Sequence, residues 1–260
     1  MRHKVRHKAV FGALVAVVLL LTAGIGGTAL RMTTGSAAAG TTTQGTTQQA
    51  YAPHINPSGF TTKIDNKYFP LKPGTTFVYR GNSGGNPERD LMTVTHSTKM
   101  VIGVKCVVVN DRVWAGGKLT EKTFDYYVQD RKGNVWYFGE DSKAYRNGKV
   151  VSTKGSWEAG KAGAKPGIIM EAHPEVGQTY RQEYHKGVAE DMAKVIDING
   201  SAKVPLGSFE HHSLVIKEWS PLEPNVVEHK YYAAGVGDIK ELTAKSPSET
   251  LGLVNVRHTG

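Results

Sequence analysis

Residues 123–158 constrain the fold most, because side chains there alternate with the period-2 pattern of a half-buried β-strand. The loop sequence Asp130–Asn134 follows the first alternating segment, and its Gly133 can supply the positive φ of a tight loop. The second segment begins at Val135. The alternation and the loop together predict a β-hairpin, whose first strand places Phe124, Tyr126 and Val128 on one face and Asp125, Tyr127 and Gln129 on the other.

The register of this hairpin follows from the same pattern. Placing Val128 opposite Trp136 and Tyr126 opposite Phe138 collects the apolar groups on one face, whereas a slip of one residue mixes the faces. We expect that apolar face to form core or cavity wall. The opposite face is where we expect function, and it is predicted to contain Asp125, Tyr127, Gln129 and Tyr137, joined by Glu140, Trp157 and Glu158.

Strand-sized segments separated by turn signals continue along the chain. Asn147-Gly148 is a strong hairpin signal. Residues 155–179, rich in glycine and proline, predict a long loop, and residues 188–198 fit either a helix or a strand. Asn199-Gly200-Ser201 is a glycosylation sequon but is interpreted as a hairpin turn. The fold class predicted is all-β or β-dominated, an antiparallel wrapped sheet or open barrel with few or no long helices outside the signal segment.

The N-terminus predicts export from the cytoplasm. Four basic residues precede an uncharged, mostly apolar run from Ala9 to Leu30, and Ala37-Ala38-Ala39 suits a signal peptidase. An uncleaved membrane anchor is the alternative, because the run is long enough to span a bilayer. The predicted domains are a signal peptide or anchor over 1–39, a Thr/Gln-rich linker over 40–54 and a single β-rich domain over 55–260. The domain is therefore expected to be secreted, or anchored with its folded part outside the cytoplasm.

Charge and cysteine content exclude several classes of protein. The formal charge is +9, but five of the 32 basic residues and none of the 23 acidic residues precede residue 40, which leaves a net charge of +4. With no basic run, no nucleic-acid partner is expected, and a membrane is expected only through the N-terminal segment. Cys106 cannot form an intramolecular disulfide, and its apolar neighbours predict a small buried side chain rather than a reactive thiol.

Two motifs in the C-terminal half carry a family resemblance. Val204–Phe209 (VPLGSF) precedes a strand, and Tyr231–Lys240 (YYAAGVGDIK) follows it. This pattern resembles a broad class of uncharacterised bacterial secreted and envelope β-proteins, with Leu206 where the class usually has alanine. Residues 71–81 and 125–141 are also similar to that class. The resemblance implies antiparallel strands in a wrapped sheet, distantly similar to LolA-like carrier folds, with strand over 188–198, and it implies no chemistry.

Histidines give no metal motif. His211 and His212 are adjacent in a predicted strand, so their side chains should point to opposite faces and could share a metal only with a bulge. His185 shares a strand face with Glu183 and could form a proton-transfer pair, although an exposed polar face is the simpler interpretation. Neither a metal nor a bound cofactor is expected.

Carboxylates beside aromatic side chains leave two classes of function open. A glycosidase needs two carboxyl groups beside a sugar-stacking surface, which makes Asp125, Glu140 and Glu158 weak catalytic candidates. The preferred hypothesis is a non-catalytic protein that binds a small amphiphile, a glycan or an envelope component. The alternatives are a carboxylate-dependent hydrolase acting on polysaccharide and a tethered surface scaffold or adhesion element. The predicted ligand-binding residues are Asp125, Tyr127, Gln129, Tyr137 and Trp157.

Overall fold

The computed structural model describes residues 51–259, so the predicted signal segment and most of the predicted linker lie outside the described residues. A 3-10 turn at Pro57–Gly59 precedes the strands. The strands are β1 (Phe60–Thr61), β2 (Thr75–Ser83), β3 (Asn86–Val101), β4 (Val104–Ala115), β5 (Lys118–Asp130), β6 (Val135–Arg146), β7 (Lys149–Ser152), β8 (Trp157–Glu158), β9 (Lys165–Met170), β10 (Thr179–Arg181), β11 (Glu183–Tyr184), β12 (Met192–Val204), β13 (Gly207–Trp219), β14 (Val227–Ala233), β15 (Gly237–Thr243) and β16 (Ser246–His258).

These strands form one antiparallel sheet, which confirms the predicted fold class. Its order is β10-β12-β13-β14-β15-β16-β2-β3-β4-β5-β6-β9-β11, and β1, β7 and β8 pair beside this path. Most neighbours in the sheet are also neighbours in sequence, as expected when short turns join antiparallel strands. The sheet curls until it is nearly closed.

The two edges of the sheet meet at Gln182. This residue separates β10, which pairs with β12, from β11, which pairs with β9. Its side-chain Nε2 donates to Glu218 Oε1 at 2.7 Å, and its backbone N–H donates to Asp191 O at 2.9 Å. A Cβ at Gly167 would lie 2.3 Å from the backbone of Gln182, so only glycine allows the strands to approach this closely.

Aromatic side chains fill much of the enclosed space. Phe69, from the segment before β2, packs edge-on against Tyr127 with ring centroids 5.5 Å apart, and lies 6.4 Å from the ring of Tyr232. Tyr79 is fully buried, and its hydroxyl donates to Asp238 O at 3.0 Å. Cys106 is buried in the same core, and burial raises the pKa of its thiol to about 12, which confirms the prediction of an inert side chain.

The two predicted hairpins are confirmed. β5 ends at Asp130 and β6 begins at Val135 with Val128 opposite Trp136, and Asn147-Gly148 joins β6 to β7. The second predicted pair, Tyr126 with Phe138, is wrong because the register shifts there. Tyr127 pairs with Tyr137, but the next pair is Asp125 with Glu140, which leaves Phe138 and Gly139 opposite a single residue.

The predicted apolar face is core at Val128 and Phe138, as expected, but the opposite face is buried as well. The polar face points into the enclosed interior, where Asp125, Tyr127 and Tyr137 are all 0% exposed. Phe124 and Trp136, predicted to be core, are only partly buried on the other side. Alternation establishes that a strand has two faces. It does not establish which face is enclosed when carboxyl and hydroxyl groups can pair with each other.

Three further predictions are settled by the strands. Residues 155–179 are not one loop, because they contain β8 and β9. Residues 192–198 are strand, as the resemblance implied. Asn199-Gly200 is not a hairpin turn, because β12 runs through it and the turn to β13 falls at Pro205 and Leu206.

Candidate functional site

A cleft of about 370 Å³ opens beside β6, where β8 and the following loop pack against it. Most of the residues that line it are polar or charged, and the rings of Tyr126 and Trp157 add apolar surface. The lining residues are Lys99, Tyr126, Glu140, Asp141, Ser156, Trp157, Glu158, Lys161, Ala162 and His185. Pockets of this size accommodate small ligands.

A backbone irregularity in β6 brings Glu140 to this cleft. Gly139 has a φ of +140°, and a Cβ there would lie 2.5 Å from Trp157 O. Only glycine avoids both the strain and the clash. At this irregularity Gly139 pairs with Glu158, and Glu140 pairs with Trp157. The pairing therefore holds Trp157 and Glu158 of β8 next to Glu140 of β6.

Behind the cleft, Tyr137 bridges two carboxyl groups. Its hydroxyl oxygen lies 2.7 Å from Asp125 Oδ1 and 3.0 Å from Glu140 Oε2. A phenol has one proton, so it can donate to only one of these carboxyl groups. The other contact is a hydrogen bond only if that carboxyl is protonated and donates to the phenol oxygen. Two separate hydrogen bonds at this hydroxyl therefore need a proton on the Asp125–Glu140 pair, and the short distances to both oxygens favour such a proton.

The pKa shifts of both carboxyl groups also favour a proton on this pair. Burial raises the pKa of Glu140 well above its usual range, and the nearby charges of Asp125 and Glu121 raise it further. Burial likewise raises the pKa of Asp125, with the charge of Asp111 adding to the effect. The hydrogen bonds from Tyr137 oppose these shifts without reversing them. Both shifts favour the protonated form of these two carboxyl groups.

Trp157 connects the same cluster to β11. Its indole Nε1 donates to Glu183 Oε2 at 2.6 Å, and its ring packs edge-on to Tyr137 with centroids 5.3 Å apart. Burial raises the pKa of Glu183, and the charges of Asp191 and Glu140 act in the same direction. Since Trp157 is only 4% exposed, it offers a ligand an edge rather than a stacking platform.

Glu158 has the opposite electrostatic environment. Lys99 Nζ lies 2.8 Å from its Oε2, and Lys161 Nζ lies 2.9 Å from its Oε1. Partial burial alone would raise the pKa of Glu158, but the hydrogen bonds from the two lysines outweigh this effect and lower it. The cleft therefore contains one carboxyl group whose pKa is raised, Glu140, and one whose pKa is lowered, Glu158.

Two polar atoms of the residues that line the cleft do not form hydrogen bonds within the described part of the chain. Within the described part of the chain, Glu140 Oε1 and His185 Nδ1 are buried and have no hydrogen-bond partner. A buried polar atom without a partner costs about 1–3 kcal/mol. A ligand in the cleft could recover that free energy.

The structure thus brings most of the predicted site residues together. Asp125, Tyr127, Tyr137 and Trp157 form the buried wall, in which the rings of Tyr127 and Tyr137 stack at 4.8 Å, while Glu140 and Glu158 line the cleft. Gln129 lies elsewhere: its amide binds the Asp65 carboxylate at 2.8 Å and the backbone N–H groups of Asp65 and Asn66.

Several lining residues, including Lys99 and Ser156, were not among the predicted site residues. Lys99 arrives from the far end of β3, and no local pattern links it to Glu158. Ser156 lies before β8, where its hydroxyl accepts from Ser142 N at 2.9 Å. His185 was noted only for its spacing from Glu183. Glu183 is buried and His185 lines the cleft.

A bulge overturns the prediction for His211 and His212. Gly200 pairs with Ser213 and Ala202 with Phe209, so one residue of β12 opposes three of β13. The bulge brings both histidines to one pocket instead of opposite faces. Among residues 51–259, no group of three or more His, Cys, Asp or Glu side chains is arranged to hold a metal ion.

Comparison with known proteins gives distant similarities only. No family model matches the chain, and no curated protein matches it. A solved structure of a candidate exported protein with a YmcC-like fold from Bacteroides fragilis has 14% identity and a TM-score of 0.42, covering 74% of this chain and 99% of that chain. A candidate lipoprotein from Parabacteroides distasonis has 13% identity and a TM-score of 0.39, covering 74% and 100%. Values this low assign neither a family nor an activity.

In the part of the chain from 51 to 259, no helix has the length and apolar character needed to cross a membrane.

Proposed function

We propose that this protein works outside the cytoplasm and binds a polar ligand in the cleft beside β6, without chemical conversion. The location rests on the N-terminal sequence, with its basic start, apolar run and Ala37-Ala38-Ala39. The binding function rests on one observation above the others. Glu140 is buried and lines an open cleft, yet its Oε1 has no partner within the described residues.

The chemistry of the cleft indicates the class of ligand. A protonated Glu140 can donate one hydrogen bond and accept another, and the ion pairs of Glu158 with Lys99 and Lys161 suit polar groups. An apolar tail would bury these charges without compensation. A glycan fragment, with many hydroxyl groups that both donate and accept, matches this lining best among the ligand classes expected from the sequence.

Binding without conversion is favoured by how the carboxylate and the tryptophan are held. Glu158 accepts from two lysines, which stabilises its charge and makes it a weak base and nucleophile. Trp157 is buried, so it provides no flat face on which a sugar ring could stack.

A carboxylate-dependent hydrolase is the second candidate, and a specific observation favours it. The pKa of Glu140 is raised and that of Glu158 is lowered within one cleft. Pairs of carboxyl groups whose environments move their pKa values apart are typical of an acid and its partner in glycoside hydrolysis. In that case Glu140 would protonate the leaving oxygen and Glu158 would act as base or nucleophile.

An oligosaccharide array probed with the secreted protein tests both candidates. We expect binding to a subset of glycans, weakened about tenfold or more by Glu140→Gln, which keeps the shape but removes the acid. Glu210→Gln, an exposed change on β13, is the matched control and should bind like the wild type. If folded protein binds no glycan, or if Glu140→Gln binds unchanged, the proposal is wrong and the tethered scaffold remains.

Reducing-end release in the same samples separates binding from hydrolysis. The binding function predicts intact glycans after prolonged incubation. Release by the wild type that disappears in both Glu140→Gln and Glu158→Gln would establish the hydrolase instead.

A further inference from the structure

A second pocket lies at the bulge between β12 and β13, and none of its residues belongs to the cleft. Ser201 of β12 opposes three residues of β13, and its Oγ accepts from His211 N at 3.0 Å. His211 has a φ of +55°, in the left-handed region that residues with a Cβ rarely adopt. A bulge that holds a residue in such a conformation can redirect side chains toward a site.

The bulge creates a pocket of about 390 Å³ with two kinds of wall. One kind is apolar and includes Ile198, which is 44% exposed although it is a large hydrophobic residue. The other kind is cationic or polar, and no carboxylate is among the lining residues. The apolar wall consists of Tyr68, Ile198, Phe209, Ala233 and Ala234, and the polar wall of Lys67, Asn199, His211 and His212.

The polar wall is suited to an anion. Lys67 is exposed, with Nζ 4.9 Å from the ring centre of Tyr68, and its backbone carbonyl accepts from Gly235 N at 2.7 Å. No ion pair of Lys67 is found among the described residues. A compact ammonium group beside imidazole and amide groups is a typical environment for a carboxylate or phosphate.

Two carboxylates that are adjacent in sequence to lining residues have other contacts. Asp197 Oδ1 accepts from Asn199 N at 2.9 Å, which stabilises the turn of chain beside the pocket. Glu210 Oε1 accepts from Ser208 Oγ at 3.4 Å and does not line the pocket. Neither of these contacts engages Lys67, which remains available to a ligand.

We propose that this pocket binds a small amphiphilic anion, with its carboxylate or phosphate on Lys67, His211 and His212 and its apolar part on Ile198 and Phe209. A purely polar anion would leave Ile198 and Phe209 without cover, and a neutral apolar ligand would bury the ammonium group of Lys67 without compensation. The ligand must therefore combine both characters. This site is additional to the glycan function proposed for the cleft and does not depend on it.

Calorimetric titration of the folded protein with decanoate, below the concentration at which decanoate forms micelles, tests the proposal. Decanol and inorganic phosphate serve as tail-only and charge-only probes. We expect saturable binding of decanoate and binding at least about tenfold weaker for either half-probe. Lys67→Gln and Ile198→Ser change exposed side chains, so they should fold normally and each should weaken decanoate binding severalfold.

Glu140→Gln is the control that separates the two sites. It should leave decanoate binding unchanged, just as Lys67→Gln should leave glycan binding unchanged. The proposal is overturned if decanoate does not bind, if decanol binds as tightly, or if neither Lys67→Gln nor Ile198→Ser weakens the binding. Binding to anionic phosphatidylglycerol vesicles without binding to dissolved decanoate would also overturn it, and would indicate a membrane-docking face instead.

Discussion

Two groups of buried carboxyl groups in this sheet compensate their charge in different ways. On β13–β15, Lys230 is 3% exposed and its Nζ lies 2.8 Å from Glu218 Oε2. Burial alone would lower the pKa of Lys230, but the charges of Glu218, Glu241 and Glu228 outweigh it and raise that pKa. On β5 and β6, Asp125 and Glu140 instead share the Tyr137 hydroxyl, and burial raises the pKa of both, which favours a retained proton.

This difference indicates a structural role for the Lys230 group and a functional role for the Asp125–Glu140 group. A lysine keeps its charge at any physiological pH, so the Lys230 group is stable and chemically inert. A proton can be released, so the Asp125–Glu140 group responds to pH and can donate to a ligand. The group that holds a proton is also the one that borders the cleft.

Replacing the buried cation should have the largest effect. Lys230→Met removes the positive charge and leaves Glu218 and its neighbours uncompensated, so we expect the free energy of unfolding to fall by about 3–5 kcal/mol. Urea denaturation measures this loss. Lys194→Met, an exposed lysine on β12, is the control and should change stability by less than about 0.5 kcal/mol. Equal effects of the two substitutions would show that Lys230 does not hold the group together.

Neutralising Glu121, a buried carboxyl group with a raised pKa, should increase the free energy of unfolding, whereas Lys230→Met should decrease it. Burial raises the pKa of Glu121 from 4.5 to about 7, with the charge of Glu88 contributing, although a hydrogen bond from Thr123 opposes the shift. The folded state therefore binds the proton more tightly than the unfolded state. Stability should fall as pH rises from 4.5 to about 7, by on the order of 3 kcal/mol for this group.

Glu121→Gln should remove that loss. We expect the variant to match the wild type at acidic pH and to exceed its stability by up to about 3 kcal/mol at alkaline pH. Denaturation curves across the pH range measure the difference. Parallel curves for the two proteins would contradict a raised pKa at this position.

Removing the bridging hydroxyl should have an intermediate effect. Tyr137→Phe leaves Asp125 and Glu140 without their shared donor, which should cost about 1–3 kcal/mol. The cost should increase with pH, because the carboxylates formed on deprotonation need a donor more than the neutral acids do. Tyr145→Phe, on the same strand but partly exposed, is the control in thermal unfolding. A cost that does not change with pH would argue against a shared proton.

An exposed ion pair should have the smallest effect. Lys143 Nζ lies 2.7 Å from Asp141 Oδ2, with both side chains substantially accessible to solvent. Lys143→Met should cost well under about 1 kcal/mol, because water screens the pair. A loss approaching that of Lys230→Met would mean that burial is not what distinguishes the two groups of carboxyl groups.

Local patterns accounted for the strands and turns that could be predicted from sequence. Alternation over Phe124–Gln129 and the Asn147-Gly148 turn depend on neighbouring residues only, and both hairpins were correct. The resemblance of residues 204–209 and 231–240 to envelope β-proteins correctly implied strand after Met192.

The features that could not be predicted from the sequence depend on contacts between residues far apart in the chain. The cleft requires Lys99 of β3 to meet Glu158 of β8, and no spacing in the sequence encodes that contact. The burial of the polar face of β5 could not be predicted because carboxyl groups are usually solvated, whereas here the Tyr137 hydroxyl donates to Asp125 and burial raises the pKa of that carboxyl. The bulge at His211 was invisible because two adjacent histidines in a regular strand point apart.

The protonation state of Glu140 at neutral pH is the central claim, and NMR of side-chain carboxyl carbons measures it most directly. The signal absent from the Glu140→Gln spectrum identifies the residue. We predict that this signal has the chemical shift of a protonated acid at neutral pH and titrates well above the usual range of a glutamic acid, because burial and Asp125 raise its pKa. Titration near the usual glutamic acid pKa of 4.5 would show that Glu140 is an ordinary ionised carboxylate and would contradict the account.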